Sequence, residues 1–394
     1  MDYENTKEHI ERHVELSFNK KFYVNTDISN FYPSIYSHSI PWALIGFDTA
    51  KKERDPKKWF NKIDMYQRLI KRNETNGIPI GPASSNIISE SILARIDKTL
   101  KDEGFVFIRF IDDYTAYFYT YEKAEEFIRR LSEELSRYKL LLNIKKTSIK
   151  QLPFPSSPEW IIDLTTRMPD KVNITPTSMI RFLEYALNKQ AISPDGSVLK
   201  YAIKTIIYDV KNETTKLLLQ YTLNLCITYP ILIPLLDTLF EKVSSDSEAS
   251  KLITEQLLNI LDEHAINKRS DAMTWVLYYL NKFSQSIPEQ TAKKVIKSGD
   301  CIAILFLYLS NQYDKEIVTF CNELDEKDLF LLDQYWLLLY QLFFEGKITN
   351  PYQNKDAYTN HLRSNSDTEE NAMKREIQVF NILKSNGVSF IDSR

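Results

Sequence analysis

Two adjacent aspartates, Asp112 and Asp113, separate the strand-like runs FVFIRFI and YTAYFYTY. Like charges in one small site resist joint ionisation, so such a pair is costly unless cations or hydrogen bonds neutralise it. A third acid, Asp27, closes a short run of aromatic and β-branched residues, KFYVNTD. Three carboxylates with open positions for phosphate suit Mg²⁺ or Mn²⁺, hard cations that take oxygen ligands. Two such ions stabilise both the attacking and the leaving oxygen of an in-line phosphoryl transfer. Taken alone, an Asp-Asp step is more often a polar turn. What decides between the two readings is the order of the elements that would carry these residues.

KFYVNTD (21–27) reads as a strand ending in its carboxylate. A loop and a basic helical stretch follow, then the breaker-rich GIPIGPASSN. In IISESILARIDKTLKDEG, residues Ile88, Ile92, Leu93, Ile96 and Leu100 recur at helical spacing until Gly104 stops the helix. FVFIRFI and YTAYFYTY predict a hairpin with both acids at its tip. A second helix, Glu122 to Tyr138, places Ala124, Phe127, Ile128, Leu131 and Leu135 on one face, and LLLNI returns as a strand. The order β, α, ββ, α, β predicts a split βαβ unit, an antiparallel sheet backed by two helices. In that arrangement the end of the first strand lies beside the hairpin tip, which brings Asp27 to Asp112 and Asp113. Beyond the Pro-rich LPFPSSPEW the pattern becomes one helix after another, among them SMIRFLEYALNKQ, DAMTWVLYYLNKF, DCIAILFLYLSNQY and DLFLLDQYWLLLYQLFF. No exact repeat occurs, but paired helices of this length predict an α-solenoid or irregular helical bundle. The expected class is α+β, followed by an all-α, helical-repeat-like region.

Net charge is −3 over 394 residues, which by itself does not point to nucleic acid. The charge is uneven, however. Between Lys51 and Arg72 stand Lys51, Lys52, Arg54, Lys57, Lys58, Lys62, Arg68, Lys71 and Arg72 against three acids, a candidate phosphate-binding stretch whose alternative is a solvated helix face. The cysteines, Cys226, Cys301 and Cys321, are too few and scattered for a disulfide framework or a zinc site, and they fit a reducing compartment. His9 and His13 are four apart on an expected helix, with charged neighbours that favour a solvated face over a metal pair. No apolar run reaches the length that spans a bilayer, and the N-terminus lacks an apolar secretion core. The expectation is a cytoplasmic protein without a membrane partner.

With the elements in order, four segments resemble the reverse transcriptases in the sequence that family uses: TDISNFYPSI as motif A, GIPIGPASSN as motif B, FIDDY as the motif C box, and LNIKKT as motif D. More narrowly, NFYPSIYSHSIPWAL and GIPIGPASSNIISE are similar to the bacterial abortive infection (Abi) and related defence-associated reverse transcriptases, which carry helical-repeat C-terminal regions. The resemblance implies a reverse-transcriptase palm over 21–160 with partial fingers, a helical domain over 161–394, and an N-terminal remnant over 1–20. Only 26 residues precede Asp27, so the fingers are expected to be missing by truncation or supplied by a separate subunit.

Carried over residue by residue, the resemblance makes Asp27 and Asp112 metal ligands, Asp113 a third carboxylate of the site, and the backbone carbonyl of Ile28 a further ligand. It makes Tyr32 the aromatic gate that excludes ribonucleotides, the alternative being a core tyrosine. Pro79, Gly81 and Asn86 become the turn and helix start that meet the incoming base and template, with Ile80 where the family has Gln. Lys146 becomes the lysine that protonates the leaving pyrophosphate, with Lys145 equally placed by spacing. The implied activity is RNA-directed DNA polymerisation from deoxynucleoside triphosphates on DNA or RNA, with Mg²⁺ or Mn²⁺, in antiphage defence. Abi-type relatives imply protein-primed, template-independent synthesis from a tyrosine hydroxyl. The alternative is a non-catalytic or split-subunit palm whose helical scaffold binds a partner or a second copy of the chain.

Overall fold

The structure, a computed structural model, describes residues 6–155, 158–194, 197–243, 247–362 and 367–391. The chain divides into two compact units, Met1–Ser157 and Pro158–Arg394.

The first unit is built on four strands: β1 (Phe22–Asp27), β2 (Phe107–Phe110), β3 (Asp113–Phe118) and β4 (Ser148–Gln151). They form one sheet in the order β2-β3-β1-β4, with every neighbouring pair antiparallel. The connection from β1 to β2 therefore straddles β3, and the one from β3 to β4 straddles β1. Helices α1 (Thr6–Ser17), α2 (Phe31–Ser34), α3 (Ser39–Ile45), α4 (Phe47–Lys52), α5 (Trp59–Leu69), α6 (Ala83–Asp102) and α7 (Tyr121–Arg137) complete the unit.

Alternation along the strands sorts the two faces of the sheet. Val24 and Thr26 of β1 and Tyr114 and Ala116 of β3 are buried with Ile92, Ile96, Phe127 and Leu131 from α6 and α7, and this is the core. The other parity pairs Tyr23 with Tyr117, Asn25 with Thr115 and Asp27 with Asp113 across the strands. His13 of α1 packs there, its Nδ1 2.6 Å from the Tyr117 hydroxyl. This contact replaces the solvated face expected for that residue. His9 lies where side chains are outside the described residues.

Two expectations about the strands change. The hairpin turn consists of Ile111 and Asp112, because Phe110 pairs with Asp113, and Asp113 therefore opens β3 instead of sharing the tip. LLLNI is not a strand. Leu142 makes one isolated bridge to Ile28, after which the chain turns, with the Lys146 and Thr147 amides donating to the Asn143 carbonyl at 3.0 Å. The edge strand forms only at β4, where Val24 pairs with Ile149. Asn143, a turn former inside an apolar run, ends the extended stretch.

In the second unit the described residues form helices and short 3₁₀ turns, without strands. The helices Pro176–Ile192, Ser270–Lys282 and Cys301–Tyr308 fall on three of the predicted segments. DLFLLDQYWLLLYQLFF instead splits into Leu329–Gln334 and Trp336–Phe344 around Tyr335, whose hydroxyl donates to the Gly299 carbonyl at 2.8 Å. The helix Ser247–Ile266 packs on both of the next two helices, so burial is shared between sequence neighbours around one apolar core. Among the described residues no helix is long and apolar enough to cross a membrane. Cys226, Cys301 and Cys321 are free thiols.

Candidate active site

Asp27 is the last residue of β1 and faces Asp113, the first residue of β3, as a direct cross-strand pair. Like charges directly opposite on a sheet destabilise it. Asp112 completes the group from the turn: its backbone carbonyl accepts the Ile28 N–H at 3.3 Å, and its carboxyl lies within hydrogen-bonding reach of Asp27. Burial, and then the neighbouring aspartates, raise the Asp112 carboxyl above its usual range. The Asp113 carboxyl is likewise raised by burial and by Asp27, against a lowering by Lys146.

The tip is held under strain. Ile111 adopts φ +54°, a conformation that β-branched residues avoid. Arg109 braces it: Nη1 donates to the Ile111 carbonyl at 2.9 Å, while the guanidinium pairs with Asp97 at 2.8 Å and Glu90 at 2.6 Å on α6. The Tyr114 hydroxyl donates to the other oxygen of Asp97 at 2.9 Å. Burial works against the Arg109 charge, but the hydrogen bonds to Glu90 and Asp97 outweigh it and hold the group protonated. Sequence reasoning passed over this network. Its one signal was a lone arginine inside FVFIRFI.

Opposite the tip, the 143–147 turn delivers a cation. Lys146 Nζ lies 2.7 Å from Asp27 Oδ2, and this pairing raises the lysine pKa. Lys145, equivalent by spacing, is exposed. Asn143 was also passed over: its amide donates to the Asp27 carbonyl at 2.7 Å and its side chain approaches Asp27 Oδ2 at 3.4 Å.

Tyr32 and Asn86, 54 residues apart, meet in a hydrogen bond of 2.7 Å from the phenol to the amide oxygen. The contact follows from how the GIPIG loop docks on α2: the Gly77 and Ile78 amides donate to the Ile35 and Tyr32 carbonyls at 2.7 and 3.0 Å. A Cβ at Gly77 would stand 3.0 Å from the Pro33 carbonyl oxygen, so the close approach requires glycine. Gly81 has φ +111°, again glycine's territory, and Pro79 is half-buried just before it. Ile28 has a buried side chain, and its N–H is the one tied to Asp112.

The basic stretch does not form one uniform face. Lys51 lies over the Trp42 and Phe47 rings at 4.8 and 5.3 Å. Arg68 bonds the buried Asp64 at 3.3 Å, and Lys71 donates to the Asn76 carbonyl. Arg54 donates to the Lys51 carbonyl, and Lys58 approaches Glu53 at 3.9 Å. Lys52, Arg54, Lys57, Lys58 and Lys62 are exposed, while Arg72 stands half-buried at φ +51°.

The donor set at and beside the turn, three carboxylates and nearby backbone oxygens, has the chemistry of a hard divalent cation site. As the side chains stand, Asp27 is held by Lys146, and no three or more His, Cys, Asp or Glu among the described residues converge as a metal group.

Residues 2–187 match the family model described as reverse transcriptase (RNA-dependent DNA polymerase). The match takes in all four strands and extends past Ser157 into the first helices of the second unit. A search of curated proteins finds no match. Over residues 2–187, the part that carries all three aspartates, this chain is similar to the reverse transcriptases.

Proposed function

We propose that the first unit is the palm of a metal-dependent DNA polymerase of the reverse transcriptase class. The observation that carries this reading is the cross-strand pair Asp27–Asp113 with Asp112 at the adjoining turn, inside the segment that matches the family. Asp27, Asp112, Asp113 and the Ile28 carbonyl would hold Mg²⁺ or Mn²⁺. When bound, the divalent ions supply the positive charge that offsets these carboxylates and the charge developing on the reacting oxygens.

The other roles fall to the chain's own residues. Lys146 neutralises Asp27 at rest and carries the proton that the leaving pyrophosphate requires. Tyr32, oriented by Asn86, presents its ring to the sugar, while Pro79 and Gly81 shape the turn beside the base. Tyr32→Val is then expected to raise the kcat/KM ratio of ribo- to deoxyribonucleotides by at least about tenfold. Unchanged selectivity in an active variant would return Tyr32 to the core.

The exposed cations Lys52, Arg54, Lys57 and Lys62 suit phosphate binding better than Arg68 and Lys71, which are engaged internally. Neutralising those four should weaken nucleic acid binding and flatten its salt dependence by about 0.9 in logarithmic slope per contact removed. A slope identical to wild type would make the stretch a solvated surface.

Following the resemblance to the Abi-type enzymes, we further propose that synthesis serves antiphage defence in the cytoplasm and starts from a tyrosine hydroxyl. A phenolic oxygen replaces a primer 3′-OH as nucleophile: it gives up its proton to solvent and bonds to the α-phosphorus, whose bond to pyrophosphate breaks as pyrophosphate leaves. The test is incubation of the purified chain with Mg²⁺ or Mn²⁺ and labelled deoxynucleotides, with and without template. Label that survives denaturation on the protein and is released by protease is the expected result. Free, protease-insensitive DNA would leave a primed polymerase. No polymer under any condition would favour a non-catalytic scaffold.

A further inference from the structure

A cavity of about 800 Å³ in the first unit lies away from the three aspartates. Its walls come from α3 and α4, the C-terminal half of α6 and the end of α7. Arg95 and Thr99 on its wall lie 9 and 13 residues beyond Asn86 on the same helix, which at about 1.5 Å per residue is roughly 14–20 Å along its axis. A nucleotide beside Tyr32 and Asn86 would not reach it.

One wall is aromatic. Trp42 and Phe47 meet edge to face with centroids 5.0 Å apart, and Phe47 is half exposed. The rest is rich in cations, with the neutral Thr99, Ser136 and Tyr138 among them, and the acids there are already engaged. Asp102 takes Lys98 at 2.8 Å, and the buried Glu134 takes Arg130 and Arg137 at 3.1 Å each. That leaves Lys51, Arg95 and Lys139 on the wall without a carboxylate at ion-pair distance among the described residues. Lys51 Nζ stands over both rings, 4.8 and 5.3 Å from their centroids, so a base that stacks there displaces the ammonium toward its own phosphates. Arg95 lines the cavity and is fixed in place, its Nε donating to the Ala43 carbonyl at 2.7 Å. The volume lies within the range of small-molecule sites, about 300–1,000 Å³.

We propose that this cavity is a second nucleotide site, in which a base stacks on the Phe47–Trp42 wall and the phosphates are held by Lys51, Arg95 and Lys139. Stacking of a base on an aromatic ring together with cationic contacts to phosphate is the combination that distinguishes a nucleotide from a simple anion. Because α6 runs from Asn86 to this cavity, occupancy there bears on the same helix that lines the proposed substrate site.

The test is calorimetric titration of the intact chain with dATP in EDTA, which removes the divalent ions the aspartate site would use. Saturable binding of one equivalent is expected, retained in Asp27→Asn. It should fall at least tenfold in the double variant Lys51→Glu, Lys139→Glu, whose folding is checked by circular dichroism. Phe47→Ala should weaken dATP about tenfold and leave inorganic tripolyphosphate unchanged. Absence of saturable binding, its loss in Asp27→Asn, or wild-type affinity in the double variant would each overturn the proposal. Tripolyphosphate binding as tightly as dATP would also overturn it, since the site would then read phosphate alone.

Discussion

Asp112→Asn is expected to lower nucleotide incorporation on the order of 1,000-fold or more, because it removes a charged oxygen donor where charge develops in the transition state. The fold should survive. The backbone carbonyl that accepts the Ile28 N–H is kept, and the side chain stands on a turn instead of in the core. The direction of the stability change follows from linkage. Burial and the neighbouring aspartates raise the Asp112 pKa in the folded state, so its charged form opposes folding, and this penalty grows as pH rises through the carboxylate range. Asparagine carries no such penalty. Without divalent ions, the variant should melt at or above the wild-type temperature near neutral pH. Incorporation within tenfold of wild type would dismiss the metal-site assignment, whereas a lowered melting temperature would show that Asp112 is mainly structural.

The second large effect is on stability. Arg109→Met leaves Asp97 buried and without its cation, and removing one partner of such a pair costs about 3–5 kcal/mol. Most of this comes from Asp97. Glu90 is half exposed, where ion pairs contribute little. Loss of the bond to the Ile111 carbonyl also releases a strained turn, so incorporation should fall with stability. Arg109→Lys keeps the charge but not the fork that spans Asp97, Glu90 and Ile111, and should recover only part of the loss. Adding Asp97→Asn to Arg109→Met should restore some stability by neutralising the stranded acid. The measurement is the shift of the first unit's own transition in urea, and a shift worth less than about 1 kcal/mol would mean that the network is dispensable.

Much of the first unit was legible as periodicity. The apolar spacing in α6 and α7 and the aromatic, β-branched runs of β1 and β3 state which face each element buries, and burial of those faces is what forms the sheet-and-helix core. The adjacency of Asp27 and Asp113 follows from that topology, since antiparallel pairing sets the end of one strand against the start of the other. The match to the reverse transcriptases falls on the segment whose motifs resembled that family.

What stayed hidden are features decided between distant residues. The hairpin was legible, but not that its turn is Ile111–Asp112 with Ile111 at φ +54°, a conformation that goes with the Arg109 brace and the register of Phe110 with Asp113. LLLNI reads as a strand because its residues are apolar, yet Asn143 spends its amide on the Asp27 carbonyl and turns the chain before pairing can continue. That same turn selects Lys146 over Lys145 as the partner of Asp27, which spacing alone left open. Tyr32 meets Asn86 only because Gly77 lets one backbone close on another. Local propensity and hydrophobic pattern are properties of a segment and are written in it, whereas a hydrogen bond or an ion pair between segments depends on offsets of an ångström that only the assembled fold sets.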